Sequence, residues 1–226
     1  MKKLLCICIF LATAILSFSR EHICITQIYN TKDKEYQNWE KSEYIYEGKE
    51  ISIENYFIWD RYENRWQHTK TFYYDYEGGR LKSKTQKDFY ATDNQWRWGM
   101  RYRYEYCGDT IIEYEDRYNN IEATKEDWSS FSRSELTYND NFLAKKFTER
   151  WDKTTKSFYP FQNTEYEYDN RWECIKECVS EFHDEHWDEA FHQEFSYNKK
   201  SQRISSVFID STHKKINIRH FRYFYE

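Results

Sequence analysis

The chain has one proline, five glycines and two methionines among 226 residues. Pro160 stands alone, which argues against a linker-rich or disordered protein. Gly48, Gly78, Gly79, Gly99 and Gly108 are too scattered to form a phosphate-cradling loop. No nucleophile elbow occurs, and no His-Glu-x-x-His pair marks a zinc hydrolase. Long blocks of like charge are missing. The formal charge is −5, and without a basic footprint nucleic acid is excluded as a partner. Acidic residues lie everywhere, so no carboxylate pair suited to glycoside hydrolysis stands out. No cofactor is implied.

Aliphatic residues are also few, and with 32% charged residues that would ordinarily mean disorder. Aromatics tip the balance the other way. Phe, Trp and Tyr make up 21% of the chain, and each buries about 150–250 Å² when covered. A single folded domain over residues 20–226 is expected.

Residues 1–19 read as an export signal. Lys2 and Lys3 precede an apolar stretch from Leu4 to Leu16, and Ser17 and Ser19 supply small cleavage-site residues. The apolar core is shorter than the roughly 18 residues of a membrane anchor. Lipid attachment is not expected: Cys24 follows Glu21-His22-Ile23, with no small residue before it, and Cys6 and Cys8 come too early. The mature chain is thus expected to be secreted, periplasmic or at the cell surface. Cys24, Cys107, Cys174 and Cys178 remain, and an oxidising compartment would permit three connectivities. On one strand, Cys174 and Cys178 would sit about 13 Å apart, too far to bridge each other.

A unit of about 30 residues recurs. The second member of an aromatic pair falls at Tyr46, Tyr74, Tyr104, Tyr138, Tyr168, Tyr197 and Tyr223, at intervals of 28, 30, 34, 30, 29 and 26 residues. Two positions earlier stand Tyr44, Phe72, Tyr102, Leu136, Tyr166, Phe195 and Phe221. Such self-similarity is the first signal to read. Alternation as in Arg101-Tyr102-Arg103-Tyr104 is a strand period, with rings on one face and charges on the other. A turn rich in Asp, Asn and Gly follows. A second run then begins at Ile51, Leu81, Ile111, Leu143, Trp172 or Ile204. Ile23–Tyr29 is a second run without its first, and Phe221–Tyr225 a first run without its second.

Short turns make consecutive strands antiparallel neighbours. The expectation is an all-β antiparallel meander of about 14 strands built from ~30-residue hairpin repeats. Open sheets seldom pass about ten strands, so it should curl into a roll or barrel-like shell with its aromatics inward. One segment competes: Trp172, Ile175, Val179 and Phe182 have helical spacing within residues 171–195, but the repeat register favours strands. A transmembrane barrel would need a continuous apolar band about 25 Å tall, and these runs carry too much charge for one.

The stretch Tyr74-Asp75-Tyr76-Glu77-Gly78-Gly79-Arg80-Leu81 resembles a YD repeat. The chain is more similar still to secreted bacterial Tyr/Trp-rich β-hairpin repeat proteins of unknown function, through Tyr-x-Tyr-Asp turns and Trp-Asp connectors such as Trp59 to Trp66 and Trp151 to Phe158. That resemblance implies an exported β-repeat protein and transfers no catalytic residues.

Two candidate sites follow. The tryptophans that open units, Trp39, Trp66, Trp96, Trp128 and Trp187, should share one rim of the sheet. They are expected to serve as core; exposed, such a row would stack on sugar rings. His183, His186 and His192, among four carboxylates, could hold a divalent metal, although their place in the repeat is a solvated hairpin tip. The functional expectation is a non-catalytic binding or structural module for a glycan or cell-surface protein. The alternative is a metal-assisted hydrolase on the three histidines.

Overall fold

Aromatic and β-branched residues alternating with charged ones favour the extended backbone, and the computed structural model is strand almost throughout. It describes residues 21–30, 33–119, 127–212 and 215–225; the expected export signal lies outside them. The strands are β1 (Glu21–Asn30), β2 (Glu35–Glu47), β3 (Glu50–Asp60), β4 (Arg65–Glu77), β5 (Arg80–Tyr90), β6 (Gln95–Cys107) and β7 (Thr110–Tyr118). They continue as β8 (Trp128–Asn139), β9 (Phe142–Asp152), β10 (Ser157–Tyr168), β11 (Cys174–His183), β12 (His186–Tyr197), β13 (Arg203–Asp210) and β14 (Lys215–Tyr225). The segment with helical spacing is strand, split between β11 and β12.

Each strand pairs antiparallel with the next, and β14 pairs with β1 to close a barrel. Closure uses the half units at the two ends: Ile28 lies opposite Phe221 and Thr26 opposite Tyr223. The shell anticipated from strand count is therefore a closed barrel without edges.

The turns explain the repeat's punctuation. At the tyrosine end, Gly78 and Gly79 both take left-handed backbone, with φ of 59° and 74°, as a two-residue hairpin of the primed kind requires. Asp140 and Asn141 do the same at φ of 49° and 71°. At the other end, the aspartate of each Trp-Asp connector caps its turn: Asp60 Oδ1 accepts from the Tyr62 amide at 2.8 Å and Asp152 Oδ1 from the Thr154 amide at 2.7 Å. That bond holds the Asp152 carboxyl below its ordinary range. Trp172 does not begin a strand. It sits in a turn at φ 63°, stacked on Phe142 at 4.7 Å.

Register partners share a face, so the pairing places Tyr44, Phe72, Tyr74, Tyr102, Tyr104, Leu136, Tyr138, Tyr166 and Tyr168 together. This face is the lumen. Exposure alternates accordingly on β4, where Tyr73, Asp75 and Glu77 are exposed while Phe72, Tyr74 and Tyr76 are more covered, and on the covered face Lys84 reaches Glu54 and Lys146 reaches Glu113.

Most even-numbered strands carry one unpaired residue at mid-length. In β4 it is Thr69, because Tyr56 pairs with Lys70 and Phe57 with His68. Phe131, Phe161 and Ala190 are the counterparts in β8, β10 and β12, and in β6 Gly99 and Met100 together face Gln86. Such a bulge swaps the faces beyond it. Trp66 and Tyr74 are an even number of residues apart, yet they lie on opposite faces.

Fourteen strands enclose more than the roughly eight whose side chains fill a barrel. Among the described residues the buried apolar ones are only Leu136, Val179, Phe195 and Ile209. Outside, among the described residues, the tyrosine half sets Arg103, Glu105, Glu135, Lys145, Glu165 and Glu167 among Ile53, Tyr73, Ile112 and Tyr114. No helix among the described residues is long and apolar enough to cross a membrane.

Candidate functional site

At the end opposite the tyrosine turns, each long hairpin carries an aromatic pair on its outer face. The pairs are Trp59–Trp66, Phe89–Trp96, Tyr118–Trp128, Trp151–Phe158 and Phe182–Trp187, with ring centroids 4.9, 5.4, 5.2, 4.9 and 5.1 Å apart. All meet at an angle, the geometry that aligns ring edges with ring faces. The first three pairs are linked, through His68–Trp96 at 4.5 Å and Trp98–Trp128 at 6.3 Å. The result is an aromatic rim around one mouth of the barrel.

Two expectations change here. The unit-opening tryptophans are not the interior core: they face outward, half-covered by one another, and Trp96 and Trp187 keep 39% and 40% of their surface. The mid-strand bulge is the cause, since strict alternation would have put them with the tyrosines. Trp39 does not belong to the row. It is the bulge residue of β2, where Thr26 pairs with Glu40 and Gln27 with Asn38. The opening position of that hairpin is Tyr36, which meets Tyr29 at 5.3 Å.

The lumen holds a second feature that sequence reasoning missed. Glu54, Lys84, Glu113, Lys146 and Glu177 alternate in charge on successive odd-numbered strands, each with a lumen-facing side chain. Lys84 Nζ lies 3.6 Å from Glu54, and Lys146 Nζ 2.8 Å from Glu113. Tyr74 Oη donates to Glu54 at 2.6 Å. Burial, then the neighbouring Glu54 and Glu113, push the Tyr74 and Tyr104 phenols far above their ordinary value. Burial, with Glu115 and Glu113 nearby, pushes Tyr102 up to about 12. Tyr74 and Tyr104 donate to Glu54 and Glu113. Burial likewise raises the Glu177 carboxyl, with Arg203 and Lys146 pulling it back. The signal was legible: the charge falls two or three residues after Ile51, Leu81, Ile111 and Leu143 and five after Trp172, at intervals of 29 to 33 residues.

The three histidines do not converge. His183 and His186 are partners at the tip of the β11–β12 hairpin, on the lumen side. Each is tied to its own carboxylate, His183 to Glu181 at 3.4 Å and His186 to Asp188 at 3.0 Å. His192 lies on the outer face beyond the Ala190 bulge, next to Cys178 and Glu189. Among the described residues no disulfide joins Cys24, Cys107, Cys174 and Cys178. Cys174 faces the lumen and Cys178 the outside, so even these near neighbours are on opposite walls.

No protein-family model matches this chain, and no curated protein matches it. Among solved structures it is similar to a protein of unknown function from Bacteroides fragilis NCTC 9343, at 16% identity and TM-score 0.45, over 54% of this chain and 89% of that one. It is similar to a DUF3836 family protein from Bacteroides vulgatus ATCC 8482, at 14% identity and TM-score 0.31, over 35% of this chain and 78% of that one. A porin-like protein from Bacteroides uniformis ATCC 8492 aligns at 9% identity and TM-score 0.25, over 91% and 96% of the two chains. None of these likenesses carries an activity or a ligand to this chain.

Proposed function

We propose that this is an exported, non-catalytic binding module that takes a cell-surface glycan on its outer aromatic rim. One observation carries the reading: five hairpins in sequence present an aromatic pair at the same level, outward and partly covered, with Trp96 and Trp187 the most exposed. A half-exposed tryptophan offers a flat apolar surface to the apolar face of a sugar ring, and a contiguous aromatic patch on a protein's outside marks an interaction site. Repetition around the rim suits a repeating ligand, because several weak contacts add through effective concentration. The rival, a metal-assisted hydrolase on His183, His186 and His192, draws no support from residues on opposite faces of the sheet.

The test is a glycan array and insoluble-polysaccharide pull-down with the full chain, repeated with the Trp96→Ala/Trp187→Ala double variant. Loss of binding by at least about tenfold is expected if these rings are energetic anchors, with Tyr104→Phe binding as wild type. Absence of glycan binding, or binding indifferent to the double change, would sink the proposal. In that event a protein partner on the same rim becomes the reading to pursue.

A further inference from the structure

Cys178 and His192 are direct partners across β11 and β12, on the outer face. The Ala190 bulge carries Glu189 round to the same side, where its Oε1 lies 2.9 Å from His192 Nδ1. A thiol sulfur, an imidazole nitrogen and a carboxylate oxygen thereby lie within 4.8 Å of one another. The repeat does not call for this set. In the other hairpins the same cross-strand position holds Asn55 with Thr71, Thr85 with Arg101, Tyr114 with Arg133 and Phe147 with Asn163. These three ligand-type residues are a local departure from an otherwise regular pattern.

We propose that Cys178, Glu189 and His192 form a zinc site, distinct from the histidines of the hairpin tip. A thiolate with an imidazole and a carboxylate suits a borderline-soft ion such as Zn²⁺ and not Mg²⁺ or Ca²⁺, which take oxygen donors. Tetrahedral zinc, with bonds of about 2.0–2.3 Å, needs its donors roughly 3.5 Å apart. The present spacing reaches that by modest side-chain movement. His192 is the fixed point, 8% exposed and in register with buried Ile209 on β13. Glu189 is exposed and free to swing. Binding releases the Cys178 proton to solvent and replaces the His192–Glu189 hydrogen bond with two bonds to the metal. Three protein ligands leave the fourth position for water or for a donor on a bound partner. The metal would also tie β11 to β12 across the bulge, where the ladder is locally interrupted.

The full chain, stripped with chelator, is titrated with Zn²⁺ by calorimetry and with Co²⁺ by absorbance. One equivalent should bind, and Co²⁺ should show the near-ultraviolet thiolate charge-transfer band. Cys178→Ser should abolish that band. Outer-shell partners alone typically contribute 10–100-fold in affinity, so losing a ligand should weaken Zn²⁺ by at least about tenfold. Glu189→Gln, at an exposed position that leaves the fold intact, should weaken it as well, while Cys174→Ser and His183→Gln/His186→Gln should not. Absence of stoichiometric metal, a Co²⁺ spectrum lacking the thiolate band, or affinity that follows His183 and His186 instead would overturn the site.

Discussion

The two halves of each strand use aromatic residues in opposite ways. Toward the tyrosine turns the rings line the lumen, hydrogen-bonded to carboxylates or backbone carbonyls, and the outer wall carries many charged residues. Toward the other mouth the paired rings stand outside, packed at an angle to one another, and the lumen side mixes Gln67, Gln95, Arg97 and His186 with Ile58, Tyr90 and Tyr159. One bulge residue in most even-numbered strands separates these regimes. The repeat is therefore not a hairpin with a single wet face but one whose apolar face crosses the wall half-way along. Both halves achieve partial burial; neither builds a packed core of the usual density.

Deleting the bulge residue should break this division most severely. Without Thr69, Trp66 and His68 turn toward the lumen and their polar neighbours outward. A register error of this kind exposes a whole side-chain set, so the loss should exceed about 4 kcal/mol, in the range reserved for major structural defects. Denaturant unfolding monitored by tryptophan fluorescence checks it, and a cooperative transition at the wild-type midpoint would show that the bulge is dispensable.

The two kinds of ring should then differ in worth. Tyr104→Ala removes a covered ring and the phenol that faces Glu113, and should cost about 3 kcal/mol, as large-to-small changes at covered aromatics do. Trp96→Ala, on the outer rim, should cost about 1 kcal/mol. Equal losses in urea melts would erase the distinction between lumen and rim.

On the outer wall Asp116 is the carboxylate to remove. It is 3% exposed and accepts from Arg101 at 3.0 Å and Arg103 at 2.8 Å. Asp116→Ala leaves two guanidinium groups facing each other, and about 2 kcal/mol should be lost, less than the 3–5 of a fully buried pair because the arginines are partly exposed. High salt should narrow the gap to wild type; a gap that widens with salt would contradict the assignment.

The smallest effect concerns Glu177. Its carboxyl is raised in the folded state by burial, so its contribution to stability is present below the unfolded carboxylate value, about 4.3. That contribution is lost as pH rises through the raised folded value. Glu177→Gln should therefore melt slightly higher than wild type at pH 7 and no higher at pH 4. The reverse order would mean that Arg203 and Lys146 outweigh burial.

Much of this was legible in the chain. Tyr74-Asp75 with Gly78-Gly79, and the Trp-Asp connectors, mark both ends of the hairpins because left-handed turns and aspartate caps have few alternatives. The lumen's charged belt was equally present, at intervals of 29 to 33 residues, but charge alternating from unit to unit is visible only when units are aligned on their turns. The rim was misread for a stronger reason. Trp66, Trp96, Trp128 and Trp187 are an even number of residues from the tyrosines of their own strands, and alternation alone assigns both sets to one face. No residue type announces a mid-strand bulge: Thr69, Gly99, Phe131, Phe161 and Ala190 have nothing in common.

By itself the sequence determined fourteen strands, their hairpin partners and the face that gathers the tyrosines, because those depend on neighbours within about thirty residues. Tertiary structure alone decided that the sheet closes, since the β1–β14 pairing joins residues from the two ends of the chain. It also decided which face the tryptophans take and that Cys178 meets His192 and Glu189. A one-residue shift in pairing is invisible in composition or period, yet it reverses every side chain beyond it.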